Sequence, residues 1–126
     1  MQLIGHGIDM VSCERIATIL SKEGSHFEAR VFTPAEIAYC RRKKDPFPHF
    51  AARFAAKEAY GKALGLGLGA SGDMLEVEVV HGEGGAPAIK LTGRAHELFL
   101  SAGAKAAALS LSHDGAYAIA SVIVSG

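Results

Sequence analysis

The stretch Phe50-Ala51-Ala52-Arg53-Phe54-Ala55-Ala56-Lys57-Glu58-Ala59-Tyr60-Gly61-Lys62-Ala63-Leu64-Gly65 is the longest strongly patterned run in the chain. Alanine is the best helix former, and here it stands among Arg, Lys, Glu and Leu, so the run predicts a long helix. Pro46 and Pro48 precede it and Gly65 follows it, the usual placement of proline before a helix and glycine after one. At about 100° per residue, Phe50, Phe54, Gly61 and Leu64 form an apolar stripe. Glu58 falls at the edge of that stripe, beside Phe54 and between Ala51 and Ala55. A carboxylate there is poorly placed for a solvated face. Lys62 follows Glu58 by one turn, and Arg53 and Lys57 lie one turn apart on the other flank. Such i,i+4 charges ordinarily solubilise a helix and contribute roughly 0.2–0.5 kcal/mol per pair. The sharper reading is a carboxylate that holds a cation, with lysine and arginine around an anionic substrate.

On the N-terminal side, residues 2–8 read as a strand in which Ile4, His6 and Ile8 alternate with Leu3, Gly5 and Gly7. It ends in Asp9, on the glycine face, where missing side chains leave room for a close approach. Ser12 is a fair N-cap for a helix over 13–23 that buries Cys13, Ile16, Ala17 and Leu20 and turns Arg15, Thr18 and Lys22 outward. Phe27, Val31 and Phe32 mark a short packed segment. Thr33-Pro34-Ala35-Glu36 combines a capping box with proline at the first helical position. It predicts a helix to about Lys43, burying Ile37 with Tyr39 or Cys40. The closing Arg41-Arg42-Lys43-Lys44 complements the helix dipole and could also serve a phosphate.

On the C-terminal side, Gly67 to Gly72 spells G-x-G-x-x-G, but it follows a helix and precedes a strand, the reverse of a dinucleotide fingerprint. It reads as a loop. Leu75, Val77 and Val79 alternate with Glu76 and Glu78 as a strand, and residues 81–85 turn it toward a partner over 88–91. Thr92 is the expected cap of a helix over 93–102 with Ala95, Leu98, Phe99 and Ala102 inside. Ala107–Ser112 and Tyr117–Val124 form a hairpin about Asp114-Gly115. These elements give the α+β class: a small, antiparallel-rich sheet with a long central helix and several shorter helices.

At 126 residues the chain is expected to form a single domain over 1–126. With 13 basic against 13 acidic residues it has no global field for nucleic acid. Cys13 and Cys40 lack metal-motif spacing and read as reduced thiols of a cytoplasmic protein. No signal peptide or membrane span is read from the sequence. Ser112, His113 and Asp114 invite a hydrolase reading, but adjacent strand residues face opposite ways and make a poor relay. Asp9 and Glu58, on separate elements, suit Mg²⁺, a hard ion held by one or two carboxylates plus substrate phosphates. With Lys62 and arginine nearby, the residues describe a Mg²⁺-assisted reaction on a phosphate compound.

Three motifs carry a resemblance that spans nearly the whole chain: Gly7-Ile8-Asp9 followed by Arg15, Phe54-Ala55-Ala56-Lys57-Glu58-Ala59 with Lys62, and Ser110-Leu111-Ser112-His113-Asp114. Phe32-Thr33-Pro34-Ala35-Glu36 and Gly85-Ala86-Pro87 occur in the expected order around them. The chain resembles the holo-acyl-carrier-protein synthases, the small bacterial-type group of the 4′-phosphopantetheinyl transferases. The resemblance implies transfer of the phosphopantetheine arm of coenzyme A to a serine of apo acyl carrier protein, in fatty acid or polyketide synthesis, releasing adenosine 3′,5′-bisphosphate. It implies that Asp9 and Glu58 hold Mg²⁺ and that Lys62 stabilises charge on the phosphates. It further implies that Arg53, Ser112, His113 and Lys44 contact the nucleotide end, that Pro87 lines its pocket, and that Arg15 and Lys22 receive the carrier protein. The general base is open between a carboxylate and a water on the metal. The resemblance also implies a homotrimer with coenzyme A between subunits; neither nucleic acid nor membrane is expected as a partner from the charge balance and the lack of a long apolar run. The surface for the carrier, with Arg15, Lys22 and Arg30, is sparser in basic residues than the family's. The alternative is a non-catalytic coenzyme A or nucleotide-binding subunit of the same fold.

Overall fold

The computed structural model describes residues 1–66 and 72–126. Most of the glycine-rich run expected to be a loop, residues 67–71, lies outside the described residues. Strand β1 (Leu3–Ser12) leads into helices α1 (Cys13–Glu23), α2 (Ser25–Val31), α3 (Pro34–Arg41) and α4 (Phe47–Ala63). Then follow β2 (Val77–His81), β3 (Pro87–Leu91), α5 (Gly93–Ser101), β4 (Ala106–Asp114) and β5 (Tyr117–Ser125). The larger sheet is antiparallel with order β1-β5-β4, and β2 and β3 form a separate antiparallel ribbon. This is the expected α+β architecture.

The central helix α4 lies across the inner face of the larger sheet. That face is made by Ala118, Ala120, Val122 and Val124 of β5, all fully buried. The glycines of β1 make the approach possible. A Cβ at Gly5 would lie 1.7 Å from the Ala63 carbonyl oxygen, and one at Gly7 would lie 1.9 Å from that of Ala59. The room expected beside Asp9 is therefore filled along Gly5 and Gly7 by the backbone of α4. The helix is also more deeply enclosed than a single stripe predicts. Ala51, Ala55, Ala56, Ala59 and Tyr60 are fully buried, and so are Arg53 and Lys57, charges that would ordinarily be solvated. The reason is that α4 lies between two layers: its alanine face rests on the sheet, and α3 and β2 cover the flank that carries Lys57, whose Nζ bonds Glu36 of α3 and the Val77 carbonyl of β2.

Several boundaries move for identifiable reasons. Strand β1 continues past Asp9 to Ser12, whose hydroxyl accepts the Arg15 N–H and caps α1 as expected. The capping box at Thr33 and Glu36 forms, but α3 ends at Arg41, burying Cys40 and half-burying Ile37 and Tyr39. Met74–Glu76 is a 3₁₀ turn capped by Asp73, so the expected strand starts only at Val77. That turn places the Glu76 carboxylate to accept N–H bonds from Arg94 and Ala95 at the start of α5. Thr92 makes no side-chain cap, because Glu76 has taken that task from across the chain. Ala102 lies beyond α5 and is exposed. In the last hairpin Asp114 pairs with Tyr117, so the two-residue turn is Gly115-Ala116, one position later than expected. Gly115 has φ +59° and no non-glycine residue among the described residues has positive φ, as a type II′ turn requires. Cys13 and Cys40 are buried free thiols.

Candidate active site

A cleft of about 460 Å³ opens between β1, α1 and α4, lined among others by Asp9, Ser12, Arg15, Phe54 and Glu58. The alternation of β1 carries Asp9 to the α4 side of the sheet. Lys62 reaches back from the last turn of α4, with Nζ donating to Asp9 Oδ1 at 2.9 Å and to the Ile8 carbonyl at 3.0 Å. The i,i+4 ion pair of Glu58 with Lys62 anticipated on the helix surface is thus replaced by a bridge between helix and strand. Glu58 remains half-buried beside it. Burial first, and then the charge of Asp9, raise its carboxyl above the ordinary range, with Lys62 opposing. Lys62 bonds Asp9 and not Glu58, and Glu58 accepts no hydrogen bond among the described residues, so its carboxylate is left open to the cleft. That donor set fits Mg²⁺, which takes one or two carboxylates and keeps water or substrate phosphates for its remaining positions. No cluster of three or more His, Cys, Asp or Glu ligands occurs among the described residues, so the fit rests on this pair.

A second cavity, of about 180 Å³, brings together Arg53, Pro87, Ser112 and His113. Pro87 opens β3, Ser112 and His113 end the edge strand β4, and Arg53 comes from the first half of α4. Three further side chains line it that the sequence reading did not single out: Tyr39, His49 and His81. His49 precedes Arg53 by one helical turn, a spacing that could have identified it. Its imidazole titrates below the usual histidine range because of burial, then Arg53, then His113. Tyr39 was read as a core residue, and His81 as part of a turn. Lys44 is exposed and does not line this cavity, whereas Lys43 Nζ lies 4.6 Å from the Tyr39 ring centroid.

Lys57 faces neither cavity. Its Nζ donates to Glu36 Oε1 at 2.9 Å, the Met74 carbonyl at 2.9 Å and the Val77 carbonyl at 2.7 Å. All three ammonium protons are therefore used inside the protein. Glu36 in turn accepts the N–H groups of Thr33 and Val79. Of the two readings open to Lys57, a solvated helix charge or a cation near an anionic substrate, the structure bears out neither: it is a structural cation, made inaccessible by α3 and β2.

Arg15, Thr18 and Lys22 are exposed on the outer face of α1, as the periodicity predicts. A shallow groove along Ser12, Arg15, Thr18 and Ile19 continues from the cleft, so Arg15 borders both.

The family model of the 4′-phosphopantetheinyl transferase superfamily matches residues 5–122. The holo-[acyl-carrier-protein] synthase of Geotalea daltonii is 44% identical over 97% of this chain and 98% of its own length. Among solved structures, the holo-[acyl-carrier-protein] synthase of Neisseria meningitidis superposes with a TM-score of 0.89 at 29% identity, covering 98% of this chain and 99% of that one. That of Helicobacter pylori, solved in complex with coenzyme A, superposes with a TM-score of 0.83 at 34% identity, covering 95% and 99%. With the carboxylate cleft and the Arg53 cavity on one such fold, the chain belongs to the 4′-phosphopantetheinyl transferase superfamily, as an enzyme of its holo-acyl-carrier-protein synthase family.

Proposed function

We propose that the chain, acting as one domain over residues 1–126, transfers the 4′-phosphopantetheine arm of coenzyme A to a serine of apo acyl carrier protein. The reaction depends on Mg²⁺ and releases adenosine 3′,5′-bisphosphate. The serine oxygen gives up its proton to a carboxylate or to water and forms a bond to the phosphorus that carries the arm, and the pyrophosphate oxygen bridging to the nucleotide leaves with its electron pair. The observation that supports this best is the facing pair Asp9 and Glu58 with Lys62 bridging to Asp9. Mg²⁺ bound there would neutralise the pyrophosphate as charge moves onto the leaving oxygen. Asp9 and Glu58 would hold it, and Lys62, one turn beyond Glu58, would stabilise phosphate charge. Arg53, Ser112 and His113, with Pro87 in the wall, would take the nucleotide end, and Lys44 would join them from the exposed segment after α3.

Arg15 and Lys22 present positive charge on α1 to an acidic carrier protein. Assembly into a homotrimer with coenzyme A between subunits is supported by the outer face of the larger sheet. There Ile8, Met10, Tyr117, Ile119 and Ile123 are exposed by 57%, 60%, 50%, 37% and 42%. Two further copies of the chain would cover that surface. A cytoplasmic setting accords with two buried free thiols, and no helix among the described residues is long and apolar enough to cross a membrane.

The test is the intact mass of an apo carrier protein incubated with this protein, coenzyme A and Mg²⁺. A gain of one phosphopantetheine is expected. Measurable coenzyme A binding without any gain, on fatty acid and polyketide carriers alike, would favour a non-catalytic binding subunit instead.

A further inference from the structure

His81 ends β2 at the rim of the Arg53 cavity, and its two ring nitrogens have unequal partners. Nε2 lies 3.0 Å from Arg53 Nη2, and Nδ1 lies 3.2 Å from the Gly85 carbonyl. An arginine can only donate, and a carbonyl can only accept. Nε2 is therefore the acceptor and Nδ1 carries the proton, so both bonds demand the same neutral tautomer. The ring also stacks on Tyr39, with centroids 4.5 Å apart and 25° between planes. The Arg53 guanidinium carbon sits 4.1 Å from the same Tyr39 centroid.

Arg53 itself is 2% exposed and gives Nη1 to the His49 carbonyl at 3.3 Å. Its Nε has no partner among the described residues. A buried guanidinium with an unused donor is costly, and it persists here because the Tyr39 ring, the His81 imidazole nitrogen and the His49 carbonyl restrain it at a cavity wall. We propose that His81 is a positioning residue: it accepts from Arg53 Nη2 and so orients the guanidinium, whose remaining donors receive a phosphate at the nucleotide end of the substrate. This rests on the transferase reading of the site and adds to it a residue that acts through Arg53. The glycine turn contributes as well, because the Gly85 carbonyl selects the tautomer.

The test is calorimetric titration of the full-length protein with adenosine 3′,5′-bisphosphate. Glutamine can place an oxygen near the position of Nε2, asparagine only near Nδ1, and leucine offers no acceptor. His81→Leu and His81→Asn are expected to weaken binding by about tenfold or more, the scale of one lost hydrogen bond to a charged group. His81→Gln is expected to stay within about threefold of wild type. In an Arg53→Ala background, His81→Leu should add nothing, because the two residues act as one unit. In turnover, the same ranking should appear in KM for coenzyme A and be absent from KM for the carrier protein. His81 is exposed, so matched thermal melts of the variants exclude a general loss of fold. The positioning role is overturned if glutamine behaves like leucine, or if the effects of His81 and Arg53 add. A wild-type protein that binds neither the bisphosphate nor coenzyme A would instead overturn the transferase reading, and the role of His81 with it.

Discussion

Lys57 and Glu58 are neighbours on one helix and meet opposite environments. The side chain of Lys57 is 0% exposed, with an acid and two carbonyls accepting its three protons. Glu58 opens on a cleft and faces Asp9, and burial and that neighbour raise its carboxyl against the opposing charge of Lys62. The buried charge is fully satisfied and therefore structural. The half-buried one is left short of partners, in a place where a cation and a phosphate can supply them. Where two adjacent charges differ in this way, the incompletely satisfied one is the candidate for chemistry.

Removing a partner from the closed side should have the largest effect. Glu36→Ala strands the Lys57 ammonium and the N–H groups of Thr33 and Val79, and is expected to destabilise the fold by about 3–5 kcal/mol in denaturant unfolding. Replacing both ions together, Glu36→Leu with Lys57→Met, should recover only the part due to the stranded ammonium, because the N–H groups of Thr33 and Val79 stay without their acceptor. A double variant no more stable than the single one would mean that the network specifies the fold as well as neutralising Lys57.

On the open side the signs separate. Glu58→Gln should lower transfer by at least about a hundredfold, the scale seen when one transition-state electrostatic partner is lost, without lowering the melting temperature. Burial and Asp9 make the folded protein hold the Glu58 proton to higher pH than the unfolded chain does. The cost of ionising it therefore appears as pH rises through the ordinary carboxylate value near about 4.3 and is complete above the raised folded value. Near neutral pH the glutamine variant should be equally or slightly more stable, by under about 1 kcal/mol because the cleft is open to solvent. Added Mg²⁺ should raise the melting temperature of the wild type and leave that of the variant unchanged. Near-normal transfer by Glu58→Gln at limiting Mg²⁺ would remove the metal from this site.

The smallest effect is expected at the rim. Arg15→Glu should raise KM for the carrier protein several-fold and leave KM for coenzyme A nearly unchanged, since rim charges act mainly on association. Raising ionic strength should weaken wild-type carrier binding as screening shortens below about 8–10 Å. An unchanged carrier KM in folded Arg15→Glu would retire the docking role of α1.

Much of this was legible from residues alone because it depends on near neighbours. Alanine density and the prolines at its N-terminal end mark α4, Ser12 and Thr33 mark helix starts, and the period of two places Asp9 on the glycine face. Asp9, Glu58 and Lys62 could be named without a fold. Their pairing could not. Glu58 is the four-residue neighbour of Lys62, yet the lysine bonds Asp9, fifty-three positions away in sequence. The same holds for Lys57 with Glu36, for Glu76 capping α5 in place of Thr92, and for His81 against Arg53 and Tyr39. Helical and strand periods define the direction in which a side chain leaves its own element. They carry no information on which element arrives to cover it, and at Lys57 and Glu58 that covering layer separates a sealed ion pair from an open site.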